Sequence, residues 1–120
     1  MAAPEFIYHM TPRADWEGAP PDRAFAAATL VTEGFIHCTA EPERLLQVAN
    51  RFYRTTAGEW LILRVAAAQL TAPLRWEEAD GYLFPHIYGP IDRQAIVAVT
   101  PFPRCGEEFI LPAFLGAQSL

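Results

Sequence analysis

Only one segment of this chain has the apolar periodicity of a long helix, and several others have the composition of short strands. From residue 42 onward, apolar side chains recur at the spacing of one helix face: Leu45, Val48, Ala49 and Phe52. The solvated face of this helix is predicted to carry Glu43, Arg44, Gln47, Arg51 and Arg54. Short aromatic or β-branched runs predict strands at Phe6–Met10, Phe35–Cys38, Trp60–Val65, Leu74–Trp76, Phe84–Tyr88 and Ala95–Thr100. Several strands with one strong helix favour an α+β fold over a doubly wound sheet.

Two shorter helices are expected before that segment. Thr11 is a good N-cap and Pro12 a good first helical residue, which predicts a helix from Pro12 to about Trp16. The Ala-rich stretch from residue 22 to 33 is expected to be partly helical, with Gly34 in the left-handed conformation at its end. The nearly continuous apolar run Trp60–Val65 predicts a strand buried on both faces.

The composition narrows the class of protein. A chain of 120 residues, 52% hydrophobic and 19% charged, predicts one globular domain over residues 1–120. Its net charge of −5 argues against general binding to nucleic acid or a membrane surface, which needs a basic field. All nine basic residues are arginine, so a lysine Schiff base is excluded.

Targeting and cysteine signals point to the cytoplasm. The first ten residues have no basic region followed by a long apolar stretch, and no window has the length of a membrane span. The two cysteines, Cys38 and Cys105, lack CxxC spacing. We therefore expect a cytoplasmic protein with two free thiols. Its oligomeric state stays open.

The three histidines are the candidate catalytic residues, because each lies in a predicted strand. Alternation along the strands puts His9 on the face of Ile7, His37 on that of Phe35, and His86 on that of Phe84 and Tyr88. Three interpretations compete. Each imidazole could be satisfied by a backbone carbonyl, the three could bind zinc in a metal-dependent hydrolase, or Cys38 could pair with His9 or His86 as a nucleophile.

Three segments resemble a bacterial family, the domain of unknown function 952 family. They are Glu33-Gly-Phe-Ile-His-Cys-Thr39, Ala49-Asn-Arg-Phe-Tyr53 and Leu83-Phe-Pro-His-Ile-Tyr-Gly-Pro90. The order Ile7-Tyr-His-Met-Thr11, then Thr29–Gly34, then Phe35-Ile-His-Cys-Thr39 also resembles the start of the ADP-ribosyltransferase fold. Within that superfamily the motifs are most similar to the RNA 2'-phosphotransferase branch.

The resemblance implies two packed, mostly antiparallel sheets with a cleft and a few short helices. It implies that NAD, as substrate, or another nucleotide binds between the sheets. His9 would hydrogen-bond the ribose or the nicotinamide amide, and His37 would pack against the nicotinamide ring. His86 and Tyr88 would line the site, and Thr11 would be a further ligand contact. The acidic chain lacks a basic face, so an RNA substrate is not expected.

One position departs from the superfamily's pattern. Transferases often carry a glutamate at the third position, where it stabilises the oxocarbenium-like transition state. The matching segment Phe84–Tyr88 offers His86 and Tyr88 but no acid, and the Glu107-Glu108 pair lies near the chain end. A protein mono-ADP-ribosyltransferase is therefore not expected. The remaining hypotheses are cleavage or transfer at the nicotinamide ribose and a non-catalytic module for a small anion or a peptide.

One arginine is a candidate phosphate ligand. Arg13 follows the first histidine at the predicted start of a helix, where an anion is favoured. A phosphate of a bound nucleotide could lie there. The alternative is a solvated arginine in the first helical turn.

Overall fold

The computed structural model describes residues 4–113. The strands are β1 (Phe6–Pro12), β2 (Ile36–His37), β3 (Trp60–Ala66), β4 (Leu74–Ala79), β5 (Tyr82–Ile87), β6 (Ile96–Phe102), β7 (Arg104–Cys105) and β8 (Glu108–Phe109). The α-helices are α1 (Arg13–Gly18), α2 (Ala28–Glu33) and α3 (Pro42–Phe52), and 3-10 turns occupy Ala67–Gln69 and Arg93–Ala95. The predicted α+β class is confirmed.

The strands form two three-stranded antiparallel sheets and a small hairpin. The first sheet has the order β1-β3-β6 and the second the order β2-β5-β4, while β7 pairs with β8. The resemblance implied the two larger sheets, and the hairpin was not predicted. β3 is the central strand of its sheet and is buried over most of its length, as its apolar run predicted.

Alternation along β1 and β3 divides the core into two clusters. On one face, Ile7, Leu63 and Val65 pack with Ile36 and Ile87 of the second sheet. The other face packs against α3 and the hairpin through Tyr8, Met10, Ile62, Leu45, Ala49 and Phe109. Because side chains alternate between the faces of each strand, this sheet packs against the second sheet on one face and against α3 and the hairpin on the other.

The start of α1 differs from the prediction. Thr11 and Pro12 belong to β1, where they pair with Leu61 and Trp60, and the helix begins at Arg13. The backbone N–H of Arg13 donates to the carbonyl of Glu59, which extends the pairing one residue further. Sheet pairing with β3 therefore overrides the local capping preference of Thr11.

The other helices agree better with the sequence. In the stretch from residue 22 to 33, α2 occupies only the last six residues, and Phe25 forms a bridge with Ile91 instead. Gly34 ends α2 with φ +86°, a left-handed conformation that glycine adopts without steric cost. α3 begins at Pro42 as predicted.

Within residues 4–113, a single backbone bridge connects the two larger sheets. Tyr8 of β1 and Thr39, two residues after β2, exchange two backbone hydrogen bonds of 2.8 Å each. In a continuous antiparallel ladder Met10 and His37 would form the next hydrogen-bonded pair. No such backbone bond is formed within residues 4–113, so β1 and β2 diverge at this point.

The two cysteines lie in different environments. Cys38 is buried and Cys105 is exposed, and both are free thiols as expected. Within residues 4–113, no helix combines the length and the apolar character needed to cross a membrane.

Candidate functional site

A cavity of about 660 Å³ opens where β1 and β2 diverge. Its walls are the second half of β1, the segment around His37, the inner face of α3 and the tip of the β4–β5 hairpin. Small-molecule sites typically have volumes of about 300–1,000 Å³. All three histidines line this cavity, so the fold brings the three predicted strand faces together.

His9 is held by the backbone of the neighbouring segment. Its Nδ1 lies 2.6 Å from the carbonyl oxygen of His37, and because a carbonyl only accepts, Nδ1 carries the proton. Burial lowers the pKa of His9 to about 4, an effect that the hydrogen bond to His37 only partly offsets. His9 is therefore neutral near pH 7, and no residue of the described chain hydrogen-bonds its Nε2 atom.

His37 and His86 face each other across the β2–β5 pair. They are directly opposite in register, and their ring centroids are 5.2 Å apart. His37 is exposed, and its Nε2 lies 3.1 Å from Oε1 of Glu33. His86 is buried and stacks on Phe35, with ring centroids 4.3 Å apart. Two imidazoles with different exposure thus form one wall of the cavity.

A carboxylate that the sequence analysis missed lies behind His86. Oε1 of Glu77, on β4, is 2.7 Å from Nδ1 of His86 and 2.6 Å from the hydroxyl of Tyr88. The hydrogen bonds from Tyr88 and then His86 lower the pKa of Glu77, and Glu77 raises the pKa of Tyr88. The adjacent strand thus places a carboxylate against His86, although Glu77 itself does not line the cavity.

A turn signal could have revealed Glu77. Asp80-Gly81 is a typical two-residue hairpin turn, and both residues have positive φ angles. Such a turn pairs Ala79 with Tyr82 and therefore Glu77 with Phe84. His86 is then the diagonal neighbour of Glu77 on the same face, within reach of a long side chain.

The other predicted ligand contacts, Thr11, Tyr88 and Arg13, do not all line the cavity. Thr11 is buried and lines the cavity. Tyr88 does not line it and bonds to Glu77 instead. Arg13 also lies outside the lining, where its guanidinium contacts Glu17 at 2.9 Å and Glu59 at 3.7 Å. This geometry does not favour Arg13 as a phosphate ligand.

Two arginines of α3 line the cavity, although the periodicity of the helix placed them on its solvated face. Arg51 forms a 3.2 Å ion pair with Asp80. Arg44 hydrogen-bonds Gln47 and lies 3.3 Å from the ring centroid of Tyr82, but it forms no ion pair with any carboxylate of residues 4–113. Arg44 therefore keeps its positive charge free of a direct ion pair, in a lining that also holds the carboxylates of Asp15, Glu33 and Asp80.

Three buried polar atoms of lining residues lack partners within residues 4–113, and one of them is the hydroxyl of half-buried Thr29. Thr39 is 4% exposed and Trp60 is 6% exposed. The hydroxyl of Thr39 and the indole N–H of Trp60 have no hydrogen-bond partner among residues 4–113. Leaving such a group unsatisfied costs about 1–3 kcal/mol. Buried polar groups without a hydrogen-bond partner are therefore unusual in a native interior. Polar groups of a ligand could satisfy them.

The geometry gives no support to the cysteine and zinc interpretations. Cys38 lines the cavity, but its burial raises the pKa of its thiol, so little thiolate exists at neutral pH. Residues 4–113 contain no group of three or more His, Cys, Asp or Glu side chains arranged to hold a metal ion.

Comparison with known proteins identifies the family. The family model described as a protein of unknown function, DUF952, matches residues 10–99. The chain belongs to the DUF952 family. This match includes His37, Glu77 and His86, whereas His9 lies one residue before it. No match was found among curated proteins.

Solved structures of another protein share this fold. The crystal structure of protein CC0527 from Caulobacter crescentus is 28% identical and covers 92% of this chain and 98% of its own, with a TM-score of 0.78. The solution structure of CC0527 is also 28% identical and covers 88% and 90%, with a TM-score of 0.69. The DUF952 chain is thus similar to CC0527 over most of both lengths.

Proposed function

We propose that this DUF952 protein is related to the ADP-ribosyltransferases and is an enzyme that binds NAD or a related ADP-ribosyl compound as substrate. The reaction is cleavage or transfer at the nicotinamide ribose. The observation that carries the proposal is the convergence of His9, His37 and His86 on one cavity between two sheets.

The chemistry of the cavity suits such a ligand. Neutral His9 presents Nε2 as an acceptor for an amide N–H or a ribose hydroxyl. The flat, exposed ring of His37 offers a stacking surface, and the orphaned Thr39 hydroxyl and Trp60 N–H offer further polar contacts. Arg44, with one donor used by Gln47, keeps others for a pyrophosphate oxygen. The residues present therefore fit a dinucleotide.

The first test is calorimetric titration with NAD and with ADP-ribose. We expect binding of both, and at least tenfold weaker binding in His9→Asn, which keeps a donor for the His37 carbonyl but lacks the Nε2 acceptor. Arg44→Gln is expected to weaken ADP-ribose binding by about tenfold, and Arg13→Gln is the matched control outside the cavity. Absence of binding at millimolar concentration would overturn the proposal.

A second candidate is a non-catalytic module that binds a small anion, and the free charge of Arg44 favours it. This module would bind ADP-ribose and phosphate-bearing compounds without releasing nicotinamide. Chromatographic measurement of nicotinamide after incubation with NAD separates the two. Release that is lost in His9→Asn supports the enzyme, and binding without release supports the module.

A further inference from the structure

The Glu77 carboxylate receives two hydrogen bonds through one oxygen. Nδ1 of His86 and the hydroxyl of Tyr88 both contact Oε1, at 2.7 and 2.6 Å. Arg75, opposite His86 in register, has its guanidinium 5.1 Å from the ring centroid of Tyr88 and adds a positive charge that also lowers the pKa of Glu77. Glu77 is therefore held as an ionised acceptor.

The ring of His86 is fixed on several sides. It stacks on Phe35 with an interplanar angle of 26°, and the ring of His37 meets it edge-on at 76°. Because Nδ1 bonds to Glu77, rotation of the ring would break a partly buried hydrogen bond. One orientation of the imidazole is thus strongly favoured.

This orientation directs the acid–base chemistry toward the cavity. His86 lines the cavity, whereas Glu77 and Tyr88 do not. A carboxylate at Nδ1 stabilises the tautomer that carries its proton there, which leaves the lone pair on Nε2. No residue of the described chain hydrogen-bonds that Nε2 atom. The arrangement is that of an imidazole base oriented by a carboxylate.

We propose that His86 is the general base of this site and that Glu77, which also accepts a hydrogen bond from Tyr88, is its positioning residue. The inference rests on the proposed function and names its second reactant, water. Nε2 of His86 accepts a proton from water as the water oxygen bonds to C1' of the nicotinamide ribose. The bond from C1' to the nicotinamide nitrogen breaks, and its electron pair leaves with nicotinamide. The products are ADP-ribose, nicotinamide and a proton that His86 releases to solvent.

The charges around His86 fit this step. The Glu77 carboxylate stabilises the imidazolium that forms, and Glu33, bonded to His37, adds a second negative charge nearby. The opposing groups are Arg75, on the neighbouring strand, and His37 when it is protonated. Glu77 is the one of these groups in direct contact with a nitrogen of His86, so its removal is the sharpest perturbation.

The positioning is tested without any substrate by nitrogen-15 NMR of the histidine rings at pH 8. We expect the Nδ1–H tautomer of His86 in the wild type and in Tyr88→Phe. In Glu77→Ala we expect the Nε2–H form that free histidine prefers. Glu78→Ala is the matched control, because Glu78 is the exposed neighbour on the opposite face of β4. An Nε2–H tautomer in the wild type would overturn the inference.

The catalytic role is tested by nicotinamide release from NAD. We expect kcat to fall at least a hundredfold in His86→Asn, with KM nearly unchanged, because general-base catalysis contributes about 10²–10⁴-fold. Glu77→Ala is expected to lose about tenfold or more in kcat, and Glu78→Ala to match the wild type. Bound NAD with unchanged release in His86→Asn would refute the base but keep the proposed function. Absence of NAD binding would refute both the proposed function and the general-base role, and the tautomer would then decide only whether Glu77 positions the ring of His86.

Discussion

Nδ1 of His9 lies 2.6 Å from the carbonyl oxygen of His37, next to the isolated bridge between Tyr8 and Thr39. The hydrogen bond takes the place of the missing backbone contact between Met10 and His37. Because the side chain of His9 replaces a backbone bond of the ladder, the position of its ring is fixed. The backbone between Met10 and His37 stays open toward the cavity.

Replacing His9 with asparagine is expected to change how stability depends on pH. Burial lowers the folded pKa of His9 from 6.5 to about 4, so below pH 6.5 the unfolded chain takes up a proton that the folded chain does not. Stability that is full above pH 6.5 is therefore lost as the pH falls toward 4. The wild type should lose about 3 kcal/mol relative to His9→Asn between pH 7 and pH 4.

Denaturant unfolding at several pH values measures this difference, since the titrating carboxylates are common to both proteins. The control is His37→Asn, which changes an exposed imidazole of the same cavity. Parallel pH profiles for the wild type and His9→Asn would contradict the prediction.

Asn50 connects α3 to the hairpin β7–β8. Its amide donates to the carbonyl of Phe109 at 3.2 Å and accepts from the N–H of Phe109 at 2.7 Å, as a paired strand residue would. Asn50→Ala should lower the free energy of unfolding by about 2 kcal/mol, because two backbone groups at buried Phe109 lose their partners. Chemical denaturation measures the loss. Glu43→Ala, an exposed change on the same helix, should have almost no effect, and equal losses in both variants would refute the assignment.

Arg104 binds four backbone carbonyls with its two terminal nitrogens. The acceptors are Thr56, Gly58, Arg54 and Glu107, at distances from 2.7 to 3.2 Å. Lysine keeps the charge but lacks the planar fork, so Arg104→Lys should cost about 2 kcal/mol of stability. Thermal and chemical unfolding measure it, with Arg23→Lys as the exposed control. Unchanged stability of Arg104→Lys would show that a positive charge without the planar guanidinium is sufficient to stabilise this region.

Gly89 leaves no room for a side chain. A Cβ atom there would lie 2.7 Å from the Cβ of Ala72. Gly89→Ala should therefore destabilise the protein by about 1–3 kcal/mol, and Ala72→Gly in the same chain should restore most of the loss. A double-mutant cycle of unfolding free energies measures the coupling between the two positions. Additive effects would indicate that the two backbones can move apart.

Local sequence patterns predicted α3 and β3, because the buried positions of both follow from the spacing of their apolar residues. The periodicity of α3 specifies one inner face, on which Leu45 and Ala49 are buried, and the continuous apolar run of β3 specifies a strand buried on both faces. The left-handed Gly34 was likewise predictable, because a helix C-terminus favours glycine there. Thr11 and Pro12 were misassigned because their partners in β3 lie about fifty residues away, and local sequence does not carry that pairing.

The candidate site was predictable only in part. Alternation placed each histidine on the correct strand face, but their meeting at one cavity depends on the register between β2 and β5. Predicting that Glu77 lies beside His86 requires a further inference, from the Asp80-Gly81 turn to the register between β4 and β5. Arg44 was assigned to the solvated face, because the periodicity of one helix does not show that the hairpin tip faces it.

The bridge between Tyr8 and Thr39 makes the separation of the two sheets measurable. The backbone N–H groups of Tyr8 and Thr39 donate the only backbone hydrogen bonds between β1 and the segment after β2 within residues 4–113. When the sheets move apart these amides are exposed to solvent, so their hydrogen-exchange rates report the opening of the cavity. A ligand that contacts both walls should slow exchange at both amides together, and a ligand held by one wall should not.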